Sequence, residues 1–332
     1  MFRVWFSTTG SLKDRENPRT INELMQQFDQ LSYDRYKLAP SPEAADAIIF
    51  FEPNNRQVHE YPNDLLSNEL IRRYPEKCFA HDYSDLGIVF LPGAYVCTPR
   101  RDFDSNRTRA GGYYNRIEVY NSVVEQASHN YRNRDNIRYL FSFRGALSHP
   151  VRAALLKQDY SSVKASVRRI DRWFNHSDKE KSDYVQEILE SKFVLAPRGI
   201  GTASIRLFEI MQFGRVPVII SDEWVPPSGP PWEEFSIRVA QSEVSDLPRI
   251  VSQREDEWKE MGDRAREAWE QYYSPNMAPF RLIEDIENLM CTRPANHDER
   301  KYQKEWLTAR FLLRQHWFDR VYSKVWRKLH TA

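Results

Sequence analysis

The residues with the most chemistry in them fall in one stretch, Phe193 to Asp222. Arg198, Gly199, Gly201, Thr202, Ser204, Arg206 and Glu209 there follow an apolar run and lead into a helical one. Glycines let a backbone approach a ligand closely, and Thr202 or Ser204 can cap a helix whose first amides and dipole favour an anion. Arg198 and Arg206 add permanent positive charge in forks that suit phosphate oxygens. Arg206 and Glu209 are three apart and share a helix face. A ligand carrying phosphates at one end and hydroxyls at the other, such as a nucleotide ribose, satisfies this set. The alternative is an ordinary strand-turn-helix unit with an internal Arg206 to Glu209 ion pair.

These side chains need strand ends and helix starts to hold them, and the chain supplies both. Phe2 to Phe6 reads as a strand, Thr20 to Glu23 as a capping box before the helical pattern of Leu24, Phe28 and Leu31, and Ala45 to Phe51 as a buried parallel strand ending at Glu52-Pro53. A helix over 63–73 and the apolar runs Cys78 to Ala80 and Ile88 to Leu91 follow. The second half repeats the plan. Strands are expected at Arg138 to Phe143, Ser162 to Ile170, Phe193 to Ala196 and Val216 to Ile220, with helices around Val151 to Leu156, Asp183 to Leu189, Ala203 to Phe213, Glu255 to Tyr273 and Met277 to Met290. Alternating strands and helices predict parallel sheets with helices on their faces. The polar stretch 128–137 suggests a boundary, which predicts residues 1–130 and 138–297 as two α/β domains with a cleft between them.

Composition narrows the class. The 332 residues include 13% aromatics, which argues against disorder, and only 11 glycines, about half the usual share of roughly 7%, so the position of each carries information. No apolar run approaches the ~20 residues of a membrane span, and Met1 to Phe6 lacks the pattern of a signal peptide. Cys78, Cys97 and Cys291 are an odd number without paired spacing, which excludes a disulfide framework and a zinc ribbon. A reducing, cytoplasmic setting is expected. No cluster of His, Cys and carboxylates has metal-ligand spacing, so no metal or other cofactor is expected.

The formal net charge of +1 is unevenly spread. Nine Lys/Arg face two acids within 300–332, and apolar residues at three-to-four spacing from Leu307 to Leu329 predict a basic amphipathic helix over 298–332. Such a helix either docks peripherally on an anionic membrane face through residues 300–330 or packs on its own globule. A second arginine-rich stretch, Arg100, Arg101, Arg107, Arg109 and Arg116 around Gly111-Gly112, reads as a long loop that either holds an anionic acceptor or is simply mobile. Neither stretch matches a nucleic-acid recognition motif, so no nucleic-acid partner is expected.

The pattern Pro197-Arg198-Gly199, Ser204, Arg206, Glu209, Gly214, Pro217-Val218 and Asp222 resembles the signature of the exostosin-like glycosyltransferases, family 47. Weaker likeness extends to Ala45–Pro53, Cys78–Tyr95 and Leu140–Arg152. Ala196 and Arg215 stand where the family often has cysteines, and Met211 follows Ile210 where Ala-Leu is common. The resemblance implies an α/β protein of GT-B fold, two Rossmann-like domains facing across a cleft, with a nucleotide-diphosphate sugar donor on the C-terminal domain and a glycan or glycolipid acceptor on the N-terminal one. It implies inverting transfer, in polysaccharide or glycoconjugate synthesis.

Carried over by position, Arg198 and Arg206 contact the diphosphate and Glu209 the ribose hydroxyls, with Gly199, Gly201, Thr202 and Ser204 shaping the loop. Arg144, after the strand opening the second domain, is either a further diphosphate ligand or half of a structural ion pair. Inverting transfer needs a base for the acceptor hydroxyl and positive charge on the leaving diphosphate. Asp82 resembles the aspartate of a His-Asp pair in the family, with His81 and Asp85 as orienters or substitutes, and the alternative is a strand-end turn in which Asp82 caps amides. Glu52 is the second choice as base, and Arg100 and Arg101 are acceptor-side candidates. A non-catalytic glycosyltransferase-like subunit is the competing functional reading. The sequons at Asn106 and Asn175 prompt a third, a lumenal enzyme.

Overall fold

Parallel strands dominate the fold because the apolar runs are continuous rather than alternating, which suits a sheet covered on both faces. The computed structural model describes residues 1–8, 25, 26, 28–31, 34–52, 65–85, 87, 89–113, 122–129, 131, 132, 134–171, 176–294 and 297–306. The expected capping box at Thr20 to Glu23, the sequon at Asn175 and the expected basic helix from Leu307 onward lie outside these residues.

The chain forms two units. The first begins with β1 (Phe2–Ser7), β2 (Tyr36–Leu38), β3 (Ala47–Glu52), helix α1 (Glu69–Arg73), β4 (Cys78–Asp82), β5 (Gly93–Tyr95) and β6 (Thr108–Ala110). Its sheet has the order β2-β1-β3-β4-β5-β6, with every neighbouring pair parallel. Ile48, Ile49, Phe50, Cys78, Phe79 and Ala80 are fully buried at its centre. Val89, Phe90 and Leu91 are buried as well, but the strand starts after them at Gly93. The arginine-rich stretch is not one continuous loop: it contains a short 3-10 turn at Arg100–Asp102 and strand β6, where Gly93, Ala94 and Tyr95 pair with Thr108, Arg109 and Ala110.

The second unit holds α2 (Ser122–Ser128), β7 (Tyr139–Gly145), α3 (Pro150–Lys157), β8 (Ala165–Arg169), α4 (Asp178–Leu189), β9 (Ser191–Pro197), α5 (Ile205–Gln212), β10 (Val216–Ile220), α6 (Trp232–Phe235), β11 (Ile237–Arg238), α7 (Leu247–Ser252) and α8 (Trp258–Tyr272). Its parallel sheet runs β11-β10-β9-β7-β8. Helix α4 starts five residues before the expected Asp183, because Ser177 and Glu180 form a capping box: the Ser177 amide donates to Glu180 Oε2 at 2.7 Å and the Glu180 amide to Ser177 Oγ at 3.3 Å. Helix α5 ends on Gly214 at φ 57°, whose amide donates to the Met211 carbonyl at 2.9 Å. Helix α8 packs directly on that turn, since a Cβ on Gly262 would stand 2.4 Å from the Gly214 oxygen.

The domain limits differ from the expected ones. The first unit stops at Glu118, and α2 packs against α4 in the second. Among the described residues the second unit stops at Tyr273 and lacks Val225–Ser228, which cluster with the first. Helices α9 (Ala278–Thr292) and α10 (Glu299–Trp306) return to the first unit, α9 packing on β5 and β6. Arg107, in the arginine-rich stretch, makes this return possible. Its guanidinium meets the Glu299 carboxylate in a buried two-point contact, donates to the Phe90 carbonyl at 3.0 Å and stacks 3.3 Å from the centre of the Tyr302 ring. Arg109 reaches the Asn288 carbonyl at 3.2 Å and Thr292 Oγ1 at 2.5 Å. Two of the loop's arginines therefore fasten the C-terminal return.

Candidate functional site

With β7 to β11 counted one to five, the second sheet reads 5-4-3-1-2, the flavodoxin-like order. In such sheets the connections leave the first and third strands in opposite directions, which opens a crevice beyond their carboxyl ends. Those strands are β7 and β9; the segment after β9, Arg198–Ser204, carries the predicted residues Arg198, Gly199, Gly201, Thr202 and Ser204, and Ala146–His149 follows β7. Arg152 ties the two segments together by donating to the Arg198, Pro197 and Ala146 carbonyls at 3.0, 3.2 and 3.3 Å. Gly199 makes room for this arrangement, because a Cβ there would lie 3.2 Å from both Arg152 Nη2 and Ser148 Oγ. Its φ is not positive, so what the glycine provides is space for neighbouring protein side chains.

Ser148 and Thr202 are 4% and 2% exposed, and their hydroxyl oxygens have no hydrogen-bond partner among the described residues. Buried hydroxyls are ordinarily paired; Ser148 Oγ stands beside Gly199, and Thr202 lies three residues before α5. Ser204 is its N-cap residue, but its side chain makes no capping bond. Neither residue expected to cap α5 does so through its hydroxyl. His149 caps α3 instead, with Nδ1 accepting from the Val151 amide at 3.2 Å. That bond places the ring proton on Nε2. Burial, with the nearby charges of Arg198 and Arg152, pushes its pKa down to about 3, so the ring is neutral at physiological pH.

Arg198 lies over its own loop, donating to the Ile200 carbonyl at 3.1 Å. On α5, Arg206 and Glu209 both reach Tyr184 of α4. Tyr184 of α4 donates its hydroxyl to Glu209 Oε2 at 2.5 Å, and the Arg206 guanidinium sits 5.6 Å from the Tyr184 ring centre and 4.9 Å from that of Phe143. Arg144 takes the ion-pair alternative, with Nε 2.6 Å from Glu187 Oε2, while its carbonyl accepts from Arg206 Nη2. Gly201 is buried in the loop between β9 and α5. Ser148, His149, Arg152, Tyr184 and Glu187 escaped the sequence reading. The His149-Pro150 pair, an N-cap followed by proline in the first turn, and the three-residue spacing of Tyr184 and Glu187 were the available signals.

In the first unit, His81 and Asp82 end β4 and are fully buried. Asp82 Oδ1 accepts from the Ser84 amide at 2.8 Å, which is the capping geometry of the alternative reading. His81 Nδ1 lies 3.3 Å from the Ala94 carbonyl, and burial pushes the ring's pKa down to about 4, so it is a neutral group. Asp85 is exposed. Glu52 is the register partner of Asp82 at the adjacent end of β3. Arg100 and Arg101 are exposed in their 3-10 turn, and Arg101 Nε lies 3.6 Å from Asp102. The three cysteines are free thiols. Among the described residues no group of three or more His, Cys, Asp or Glu could hold a metal ion, and no helix is long and apolar enough to cross a membrane.

Two units with all-parallel sheets, the second of flavodoxin-like strand order, are the kind of halves from which the GT-B fold is built. Residues 103–253, somewhat under half of the chain, match the family model described as the exostosin GT47 domain. The chain is 30% identical over 101 residues to an exostosin-1 homolog of Caenorhabditis elegans, covering 30% of this chain and 26% of that one. It is 36% identical over 81 residues to a probable β-1,4-xylosyltransferase of Arabidopsis thaliana, covering 24% of this chain and 20% of that one. The matched stretches thus span about a fifth to a quarter of those relatives. Among solved structures, an α1,3-fucosyltransferase aligns with a TM-score of 0.46 at 14% identity, covering 90% of this chain and 92% of that one. HepE of Anabaena, solved with UDP, aligns with a TM-score of 0.38 at 10% identity, covering 87% of this chain and all of that one. The fold assignment rests on the two strand orders.

Proposed function

We propose that this chain is an inverting glycosyltransferase that moves a sugar from a nucleotide-diphosphate donor, held by the second unit, to a hydroxyl of a glycan or glycolipid acceptor on the first. The observation that carries this reading is a pair of buried hydroxyls, Ser148 and Thr202, without a hydrogen-bond partner among the described residues, in the segments that follow β7 and β9 at the switch point, with Arg198 in the same loop as Thr202 and Arg206 in the first turn of α5. The diphosphate supplies acceptor oxygens for these donors, and Glu209 receives the ribose hydroxyls. Positive charge and helix amides stabilise the leaving diphosphate, so the transfer proceeds without a metal. The match to the exostosin GT47 model and the names of the relatives, a probable xylosyltransferase and a probable glucuronosyltransferase among them, support a sugar-nucleotide donor. The base that takes the acceptor proton comes from the paired ends of β3 and β4, where Glu52 and Asp82 stand in register.

Titration calorimetry with nucleoside diphosphates is the test. Arg206→Ala and Glu209→Ala each weaken binding, whereas unchanged affinity in both removes the site. Donor turnover in excess EDTA is retained. Its loss, with restoration by manganese, contradicts metal independence. One observation favours a second reading, a sugar-nucleotide-binding subunit without catalysis: Asp82 is buried and already caps Ser84. Intact nucleotide binding with neither hydrolysis nor transfer of the donor, over a broad acceptor set, distinguishes it.

A further inference from the structure

We infer that Tyr184 is the positioning residue of the ribose and diphosphate contacts, and that α4 is the frame on which the donor site is aligned. This rests on the reading of Glu209 and Arg206 as nucleotide ligands. The three-residue spacing of Tyr184 and Glu187 puts both on one face of α4, while the buried Val185 and Ile188 hold the helix to the sheet. Each of the two polar side chains reaches a different arm of the site. Tyr184 donates to Glu209 Oε2 at 2.5 Å and lies against the Arg206 guanidinium. Glu187 accepts from Arg144 Nε at 2.6 Å and from the Ser166 hydroxyl. Arg206 closes the circuit by donating to the Arg144 carbonyl.

This circuit has directional consequences. One oxygen of Glu209 is fixed by the phenol, which sets the plane of the carboxylate and so the direction from which it accepts a ligand hydroxyl. Burial and the neighbouring negative charge raise the Tyr184 pKa, so the phenol remains a donor across the working pH range. The ring does a separate job. With Phe143 it forms the aromatic bed on which the flat Arg206 guanidinium rests, limiting the side chain's rotation and aiming its nitrogens. Removing the hydroxyl and removing the ring must therefore have different effects.

The experiment uses the full chain and whichever of UDP, GDP, ADP and CDP the wild type binds, together with its 2′,3′-dideoxy counterpart and inorganic pyrophosphate. Tyr184→Phe is expected to weaken the ribonucleotide by about tenfold and to leave the dideoxy form and pyrophosphate within twofold. The double variant Tyr184→Phe/Glu209→Gln binds no more weakly than Glu209→Gln alone. Tyr184→Leu, which also removes the bed beneath Arg206, additionally weakens pyrophosphate. Equal weakening of the ribo and dideoxy forms by Tyr184→Phe, additivity in the double variant, or no change at all overturns the assignment. A wild type that binds none of the four diphosphates overturns the functional reading instead.

Discussion

Arg107 and Glu299, 192 residues apart, meet as a two-point ion pair with Nη1 to Oε2 at 2.8 Å and Nη2 to Oε1 at 2.7 Å, their side chains 5% and 0% exposed. His297 Nε2 stands 2.7 Å from the same carboxylate, and Arg293 spans to the Glu76 carbonyl at 3.1 Å. A buried pair of this kind holds a segment in one place more than it adds net stability, because desolvation offsets most of the attraction. Removing one partner leaves the other charge buried and unpaired. Arg107→Ala is therefore expected to destabilise the protein by about 3–5 kcal/mol, measured by urea denaturation, while Arg107→Met with Glu299→Leu recovers most of that loss. Equal losses in the single and double variants would show that the ion pair is not the cause.

Asp82→Asn separates the two roles open to that residue. The asparagine oxygen still accepts from the Ser84 amide, so the turn and the melting temperature are preserved, but the basicity is gone. If Asp82 takes the acceptor proton, kcat falls by about 10²–10⁴-fold with nucleotide affinity unchanged. Transfer at the wild-type rate moves the role to Glu52, and Glu52→Gln then carries the loss.

Stability has a pH dependence with a definite sign. His81 and His149 are held neutral by burial, with pKa values near 4 and 3, while each takes up a proton near 6.5 once unfolded. Between about pH 4 and 6.5 the unfolded chain binds more protons than the folded one, so stability rises with pH across that window. Each group contributes a slope of up to ~1.4 kcal/mol per pH unit. Denaturation midpoints followed from pH 4.5 to 7 are expected to climb, and His149→Asn, which keeps an N-cap oxygen for α3, to climb less steeply. An identical slope in wild type and variant contradicts the assignment.

Gly214→Ala tests the turn that ends α5. A side chain there must adopt a left-handed φ of 57° and place its Cβ 3.0 Å from Tyr131 Cδ2. The expected loss is about 1–2 kcal/mol in a denaturation titration, with nucleotide affinity per folded molecule unchanged.

How much of this the sequence disclosed depended on how local each signal was. The apolar runs of β3, β9 and β10 were legible because both faces of those strands are buried, and the glycine stop at 214 because only a left-handed residue ends α5 there. That Arg198 to Glu209 follow a strand and lead into a helix was legible from the same alternation, whereas their place at a switch point depends on the strand order, which no local signal carries. Tyr184 was missed because a tyrosine in an amphipathic helix has no local mark of the residue it will reach 25 positions away. The return of α9 and α10 was missed for the same reason, since Glu299 is ordinary until Arg107 is placed beside it. Arg215, where the family often has cysteine, is fully buried and donates to the Tyr131, Phe213 and Leu189 carbonyls at 3.1, 2.9 and 2.8 Å, a cementing role that charge alone does not announce.

The return of α9 and α10 also fixes an order of events at the ribosome. Chains are made from the amino end, and an N-terminal domain ordinarily folds first. Here the strands of the first unit emerge early but must wait for Ala278–Thr292 to cover β5 and β6 and for Glu299 to neutralise Arg107. The described residues of the second unit end at Tyr273 and are all synthesised before those helices, so the later half of the molecule has its complete set of elements before the earlier half does. A fragment ending near residue 118 would leave Arg107 charged and uncovered, and excising the first unit as a stand-alone domain requires grafting 274–306 onto it.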